Sequence, residues 1–162
     1  MKIGRTIVMM SAVGMLSVAC GQNPAPAPAK AAAKNGADVA WMTDFQAAKK
    51  MAAEKQLPIL ADFSGSDWCH WCIKLDQEVF EKEAFKTYAA GNLVLFVADF
   101  PRRKSLPEAV QKQNEALSRQ YGIEGFPSVL LLDASGRVLA KTGYEPGGAE
   151  KYVASLKLLL KK

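Results

Sequence analysis

The fold is decided by residues 59–72, which read ILADFSGSDWCHWC. Residues 59–63 favour a buried strand, because they are apolar except for Asp62. Ser, Gly and Asp at 64–67 are typical of a loop. A helix is then predicted to open at the Cys69-His70-Trp71-Cys72 motif, and its apolar side is predicted to carry Ile73, Leu75, Val79 and Phe80.

The segments around this stretch alternate between helical and strand patterns. Before it, Thr43 is predicted to cap a helix, with Gln46 completing a capping box. The apolar run at 93–98 is typical of a central strand covered on both faces. Further helices are predicted over 83–90, 107–121 and 147–160, and further strands over 128–133 and 137–142. This order predicts an α/β fold in which a mixed sheet of about four strands has helices on both faces.

Four groups of residues together resemble one family. They are Asp62-Phe63, Trp68-Cys69-His70-Trp71-Cys72, Gly125-Phe126-Pro127, and Asp133 with Gly136. Over about residues 40–160 the pattern resembles the thioredoxin superfamily, and more narrowly its secreted bacterial members with a W-C-x-W-C site. The resemblance implies a thioredoxin-like fold and a thiol–disulfide oxidoreductase.

The resemblance also implies a role for single residues. Cys69 would be the nucleophile and Cys72 the resolving cysteine. Pro127 would be a cis-proline facing the disulfide, and Asp62 a buried carboxylate that helps move the proton of Cys72. The loop between Asp62 and Cys69 is one residue longer than in thioredoxins, and Leu95 stands where the lysine partner of that carboxylate is expected.

The chemistry of the two cysteines follows from their spacing. A thiolate is the attacking species in disulfide exchange, and an unperturbed cysteine has a pKa of about 8.5. Cys69 lies where a helix is predicted to begin, so the helix dipole favours its anion. Cys72 follows about one turn later and can attack a mixed disulfide held by Cys69, which resolves that complex intramolecularly.

The neighbours of the cysteines are candidates for tuning and docking. His70 can stabilise the thiolate, or it can be a solvent-exposed spacer. Trp68 and Trp71 are expected to form an apolar rim for substrate, with plain packing as the alternative for either ring. Phe126 would expose its backbone for strand-like pairing with an extended substrate. The basic run at 102–104 can dock an acidic partner or form a solvated loop.

No metal and no cofactor other than the Cys69–Cys72 disulfide is expected. A structural zinc site needs four ligands, whereas Cys69, Cys72 and the only histidine, His70, are too few and too close together. A haem attachment motif needs a histidine directly after the second cysteine, where Ile73 stands. The alternative function is a non-catalytic thioredoxin-like binding or adaptor protein with a structural disulfide.

The N-terminal part reads as an export signal and a tether. Residues 1–19 predict a signal peptide of the lipoprotein type, which would leave Cys20 as a lipidated N-terminus; an ordinary signal peptide is the alternative. Residues 20–38 are rich in Pro and Ala and predict an extended tether. The predicted domain then spans 39–162, in the periplasm or cell envelope, anchored to a membrane by lipid.

Charge and composition limit the classes of partner that the protein is expected to have. The formal net charge is +5, and without Lys2 and Arg5 of the predicted signal peptide it is 19 − 16 = +3, which is mild; the positive residues are spread along the chain, which argues against nucleic-acid binding. The expected partners are thiols and disulfides of exported proteins and a membrane or periplasmic redox donor or acceptor, with the chain itself a monomer. One CxxC motif, with no evident inserted helical domain, favours a reductase or isomerase-like role over an oxidase.

Overall fold

The structure is a computed structural model that describes residues 39–161. The predicted signal peptide at 1–19, the lipidation site Cys20 and the tether at 20–38 lie outside the described residues. Within residues 39–161, no helix is long and apolar enough to cross a bilayer.

Across residues 39–161, five α-helices and four strands follow the predicted order. A short π-helical turn over Asp76–Phe80 continues the second helix. The helices are α1 Phe45–Lys55, α2 His70–Leu75, α3 Glu83–Asn92, α4 Glu108–Gln120 and α5 Gly148–Leu159. The strands are β1 Ile59–Ser64, β2 Val94–Asp99, β3 Ser128–Leu132 and β4 Val138–Thr142.

The strands form one mixed sheet in the order β2-β1-β3-β4. β1 pairs with β2 in parallel, and β1–β3 and β3–β4 are antiparallel. In this register Asp62 lies opposite Val97 on one side and Val129 on the other. The predicted mixed sheet of four strands is confirmed.

The predicted central position of β2 is wrong, because β2 is an edge strand. Its apolar run is nevertheless explained, since both of its faces are covered and its free edge is partly paired. Met42 forms an isolated parallel bridge with Phe96, donating its N–H to the Leu95 carbonyl and accepting the N–H of Val97. A strand covered in this way reads as a central strand in the sequence.

The core divides between the two faces of the sheet. Alternate residues of β1 point to opposite sides, as the two-residue period of a strand requires. Leu60 packs with Leu75 of α2 and Tyr152 of α5, whereas Ala61 packs with Phe45 of α1 and Leu117 of α4. Helices therefore cover both faces, as predicted.

Two local predictions are wrong. The N-cap of α1 is Asp44 and not Thr43, because the Asp44 carboxylate accepts the N–H groups of Gln46 and Ala47. In the predicted capping box the Thr43 side chain would have accepted a free amide of the first turn. The Asp44 carboxylate fills this role instead. Ile73, predicted on the apolar side of its helix, is 36% exposed at the surface near the cysteines.

Candidate active site

The predicted site residues gather at one end of the sheet. β1 ends at Ser64, and the chain reaches α2 through a short loop that carries Trp68 and Cys69. β3 runs antiparallel to β1 and begins at Ser128, opposite Phe63. The Phe126–Pro127 peptide bond just before Ser128 is cis. The antiparallel register therefore brings the cysteine motif and the proline loop to the same end of the sheet.

Cys69 is the N-cap of α2 and is bonded to Cys72 in a disulfide, with 5.2 Å between their Cα atoms. The Cys69 sulfur accepts the backbone N–H of Cys72 at 3.2 Å. A free amide at the start of a helix carries partial positive charge, so this contact favours the thiolate of Cys69 when the pair is reduced.

Cys72 lies deeper than Cys69, at 4% against 7% exposed. Its sulfur accepts the N–H of Gly65 at 3.5 Å. Gly65 has no room for a side chain, because the Trp68 ring lies 2.6 Å from the point where a Cβ would stand. The sequence shows Gly65 only as a loop residue, whereas its structural role is to let Trp68 and the Cys72 sulfur approach the backbone.

Asp62 is a buried residue of β1, two positions before its end at Ser64. It lines a cavity of about 220 Å³ together with Cys72. The side chains of Asp76 and Glu81 also line this cavity. One carboxylate oxygen of Asp62, Oδ1, is buried and has no hydrogen-bond partner in the described part of the chain. Asp62 is thus a buried acid that faces the same cavity as Cys72.

The pKa of Asp62 is raised to about 8, chiefly by burial and then by the neighbouring charges of Asp76 and Asp99. The pKa of Asp76 is itself raised, chiefly by burial and then by Glu81.

The residue opposite Asp62 on β2 is Val97, so the expectation that Leu95 stands at that place is wrong. Leu95 lies opposite Leu60 in the core.

The loop before Cys69 is tied to the loop after β2 through Asp67. The Asp67 carboxylate accepts the backbone N–H groups of Arg102 at 2.9 Å and Arg103 at 2.8 Å. These two bonds, the first of them the largest cause, lower the pKa of Asp67. Asp99 adds a second link by accepting both the N–H and the hydroxyl of Ser66. Sequence reasoning missed this connection, which fixes the position of the loop that precedes Cys69.

Trp68 packs against the proline loop rather than standing free in solvent. Its ring meets that of Phe126 edge to face, with centroids 5.9 Å apart. Its indole N–H donates to the Phe100 carbonyl at 2.8 Å. The guanidinium of Arg102 lies 3.6 Å from the centre of the Trp68 ring. Trp68 therefore joins the cysteine loop to the segments before Pro127 and after β2.

Trp71 is the exposed aromatic residue of the motif, at 51% exposed. Its ring packs on that of Tyr144 with centroids 5.2 Å apart, and the Lys74 amine lies over both rings. The Tyr144 hydroxyl donates to a Glu78 carboxylate oxygen at 2.7 Å. His70 is exposed, and its ring meets that of Trp71 edge to face with centroids 5.5 Å apart. Sequence reasoning gave Tyr144 no role, and only the fold brings it beside the motif.

The arrangement unites two sulfurs, a helix N-terminus, a buried acid and an aromatic rim. Among residues 39–161, no group of three or more His, Cys, Asp or Glu side chains is arranged to hold a metal ion. The chemistry that these groups support is reversible disulfide formation between Cys69 and Cys72.

Comparison with known proteins places this site in a family. Residues 45–158 match the thioredoxin-like domain family, which accounts for more than half of the chain. The chain belongs to the thioredoxin-like family. It is 37% identical over 125 residues to a disulfide bond reductase named DsbH from Chlamydia pneumoniae, covering 77% of this chain and 75% of that protein.

Two further comparisons support the assignment. The solved structure of a DsbH oxidoreductase has a TM-score of 0.74 and 34% identity, covering 88% of this chain and 96% of that one. A thioredoxin-related protein named DsbJ from Chlamydia pneumoniae is 31% identical over 105 residues, which are 65% of this chain and 30% of that protein. With its CxxC disulfide on this fold, the chain is a protein-disulfide oxidoreductase.

Proposed function

We propose that the protein is a disulfide reductase or isomerase-like enzyme that acts on exported proteins. The supporting observation is the Cys69–Cys72 disulfide: the outer sulfur accepts a helix amide, and Cys72 lines the same cavity as the buried acid Asp62. The name of the 37% identical relative, a disulfide bond reductase, favours reduction over oxidation.

In the reducing direction the Cys69 thiolate attacks a substrate disulfide. A Cys69–substrate disulfide forms, and the first substrate thiol leaves and takes up a proton. Cys72 then loses its proton to Asp62 and attacks Cys69, which releases the second substrate thiol. The two electrons of the dithiol end on the two substrate thiols, and a membrane or periplasmic donor must reduce the new Cys69–Cys72 disulfide.

The neighbouring residues guide this reaction. Trp68 and Trp71 directly precede Cys69 and Cys72, and Phe126 packs on Trp68. These three rings would form the docking rim, and Phe126 would offer its backbone to an extended substrate beside Pro127. His70 would favour the Cys69 thiolate from the surface. Catalysis would use the disulfide itself, with no metal and no added cofactor.

The reduction potential of the Cys69–Cys72 pair, measured by equilibration with glutathione, tests the direction. A reductase or isomerase-like role predicts a potential between about −270 and −180 mV, which is the range from thioredoxin to protein disulfide isomerase. A potential near −120 mV would indicate an oxidase. A potential below about −300 mV would indicate the alternative, a non-catalytic adaptor with a structural disulfide.

We also propose that the enzyme is a monomer that is exported and anchored to a membrane of the cell envelope. The signal peptide at 1–19 would be removed, Cys20 would be lipidated, and residues 20–38 would connect the lipid to the domain at 39–162. Incorporation of a radiolabelled fatty acid into the wild-type chain tests the anchor. The Cys20→Ser variant should take up no label; label in both proteins would contradict lipidation of Cys20.

A further inference from the structure

Arg102 lies beside the active site with its charged group held in place. Its guanidinium carbon is 3.6 Å from the centre of the Trp68 ring, and Trp68 directly precedes Cys69. A guanidinium that stacks on an aromatic face keeps its N–H groups, which lie in its own plane, available for a carboxylate. The side chain of Arg102 is exposed, so those donors are open to solvent.

The backbone below this side chain is fixed by the Asp67 carboxylate. Asp67 accepts the N–H groups of Arg102 and Arg103, and Trp68 donates its indole N–H to Phe100. Lys104 forms an ion pair with Asp99 at 3.2 Å. The loop therefore presents Arg102 in a defined position relative to the cysteine motif.

The carboxylates nearest to this loop are already engaged by other donors. Both oxygens of Asp67 accept backbone N–H groups, and the Asp99 carboxylate accepts two bonds from Ser66 besides its ion pair with Lys104. Between residues 39 and 161, neither Arg102 nor Arg103 takes part in an ion pair. The Arg102 guanidinium, which lies over Trp68, therefore has no carboxylate partner within this range.

We propose that Arg102, stacked on Trp68, binds an acidic side chain of the substrate polypeptide close to the substrate's reacting cysteine. Trp68 also packs on Phe126, which precedes Pro127, so Arg102 borders the same edge as the segment proposed to pair with substrate. An extended chain advances about 3.3–3.6 Å per residue, so a carboxylate two residues from the cysteine would lie about 7 Å along the substrate, and the test below uses this spacing. This inference rests on the proposed function and names its preferred substrate class.

The test uses the purified full chain, reduced, with a Cys20→Ser change so that only the active-site pair reacts. The substrates are short peptides with one cysteine in a mixed disulfide with 2-mercaptoethanol, and the residue two positions away is Glu, Gln or Lys. Cys69 forms a disulfide with the peptide and releases 2-mercaptoethanol; Cys72 then releases the peptide thiol. The rate of peptide release is measured, with hydroxyethyl disulfide as a small uncharged comparison substrate.

The wild-type chain should reduce the Glu peptide about five-fold faster than the Lys peptide at low salt, the size expected for one exposed ion pair. This preference should shrink at about 0.5 M salt, because screening weakens exposed charge pairs. Arg102→Glu should abolish or reverse the preference and leave the rate with hydroxyethyl disulfide unchanged. Lys55→Glu is the matched control, since it makes the same charge change at the end of α1 and should keep the preference.

Equal rates for the Glu and Lys peptides in the wild-type chain would overturn this inference, and so would an unchanged preference in Arg102→Glu. Equal slowing of all substrates in Arg102→Glu would also overturn it, because that result indicates a structural role for the side chain. Failure of the wild-type chain to reduce even hydroxyethyl disulfide would instead contradict the proposed function, so the two failures are distinguishable.

Discussion

Asp62 and Cys72 line the same cavity of about 220 Å³, so a buried acid and the inner cysteine of the disulfide border one space. The acid has no cation opposite it on β2, where Val97 stands, and its Oδ1 atom has no hydrogen-bond partner among the described residues. Burial is the largest cause of its raised pKa, which lies at about 8. A proton acceptor with this pKa is matched to a thiol that must lose its proton near neutral pH.

Replacing Asp62 with Asn should remove a pH-dependent loss of stability. Below pH 3.8, the ordinary pKa of the group, Asp62 is protonated in both states. Between about pH 4 and 8 only the unfolded chain ionises it, so the stability of the oxidised wild-type chain should fall as pH rises, by about 1.4 kcal/mol for each unit of pKa difference as an upper estimate. Urea unfolding of both proteins at pH 5 and 9 measures the difference. Asp62→Asn should lose much less stability than wild type over this range, and equal losses would contradict the raised pKa.

The same substitution should slow the second step of exchange. Without the carboxylate, Cys72 must lose its proton to solvent, so release of substrate from Cys69 should slow at least ten-fold at pH 7, since a positioned base contributes about 10² or more. Rapid quenching with acid and mass spectrometry would follow the Cys69–substrate intermediate. It should accumulate in Asp62→Asn while its rate of formation stays at the wild-type value. Unchanged release would show that Asp62 is not the proton acceptor.

Asp76 should influence the active site through Asp62. Its charge raises the pKa of Asp62, so Asp76→Asn should lower that pKa. A carbon-detected NMR titration of the Asp62 carboxyl group in the oxidised chain measures the change directly. Glu54→Gln, an exposed change on α1, serves as the control and should leave the titration of Asp62 unaltered. An unchanged or higher pKa in Asp76→Asn would contradict the coupling of the two acids.

The exposed ring of Trp71 should contribute to docking and not to the exchange chemistry. Trp71 directly precedes Cys72, and Trp71→Ala removes exposed apolar surface that packs on Tyr144. We expect a several-fold higher KM for insulin reduction and little change in kcat, because a docking interaction of equal strength in the ground and transition states affects KM alone. The rate with hydroxyethyl disulfide should stay the same. A fall in kcat for both substrates would assign Trp71 to the chemistry instead.

The sequence predicts the cysteine helix and its setting because these depend on local patterns. Residues 59–72 contain an apolar strand, a loop of turn-forming residues and a motif at the start of a helix. The cis bond before Pro127 was expected only from resemblance to a family, since most X–Pro bonds are trans.

Contacts between distant loops are what the sequence pattern omits. The bonds from Asp67 to Arg102 and Arg103 join residues 35 and 36 positions apart, and they depend on a side chain that bonds to backbone amides, which no periodicity records. The edge position of β2 was missed for a similar reason, because Met42 and the two apolar faces make it resemble a central strand. Ile73 follows the helical pattern yet lies at the surface beside the cysteines.

The order of attack by the two cysteines is the central claim of this account. It is tested by incubating single-cysteine variants, Cys72→Ala and Cys69→Ala, with a disulfide-containing substrate protein in a Cys20→Ser background. Non-reducing mass spectrometry then identifies covalent complexes. The account predicts a long-lived mixed disulfide through Cys69 in Cys72→Ala and no complex in Cys69→Ala. A stable complex through Cys72 in Cys69→Ala, with none in Cys72→Ala, would contradict it.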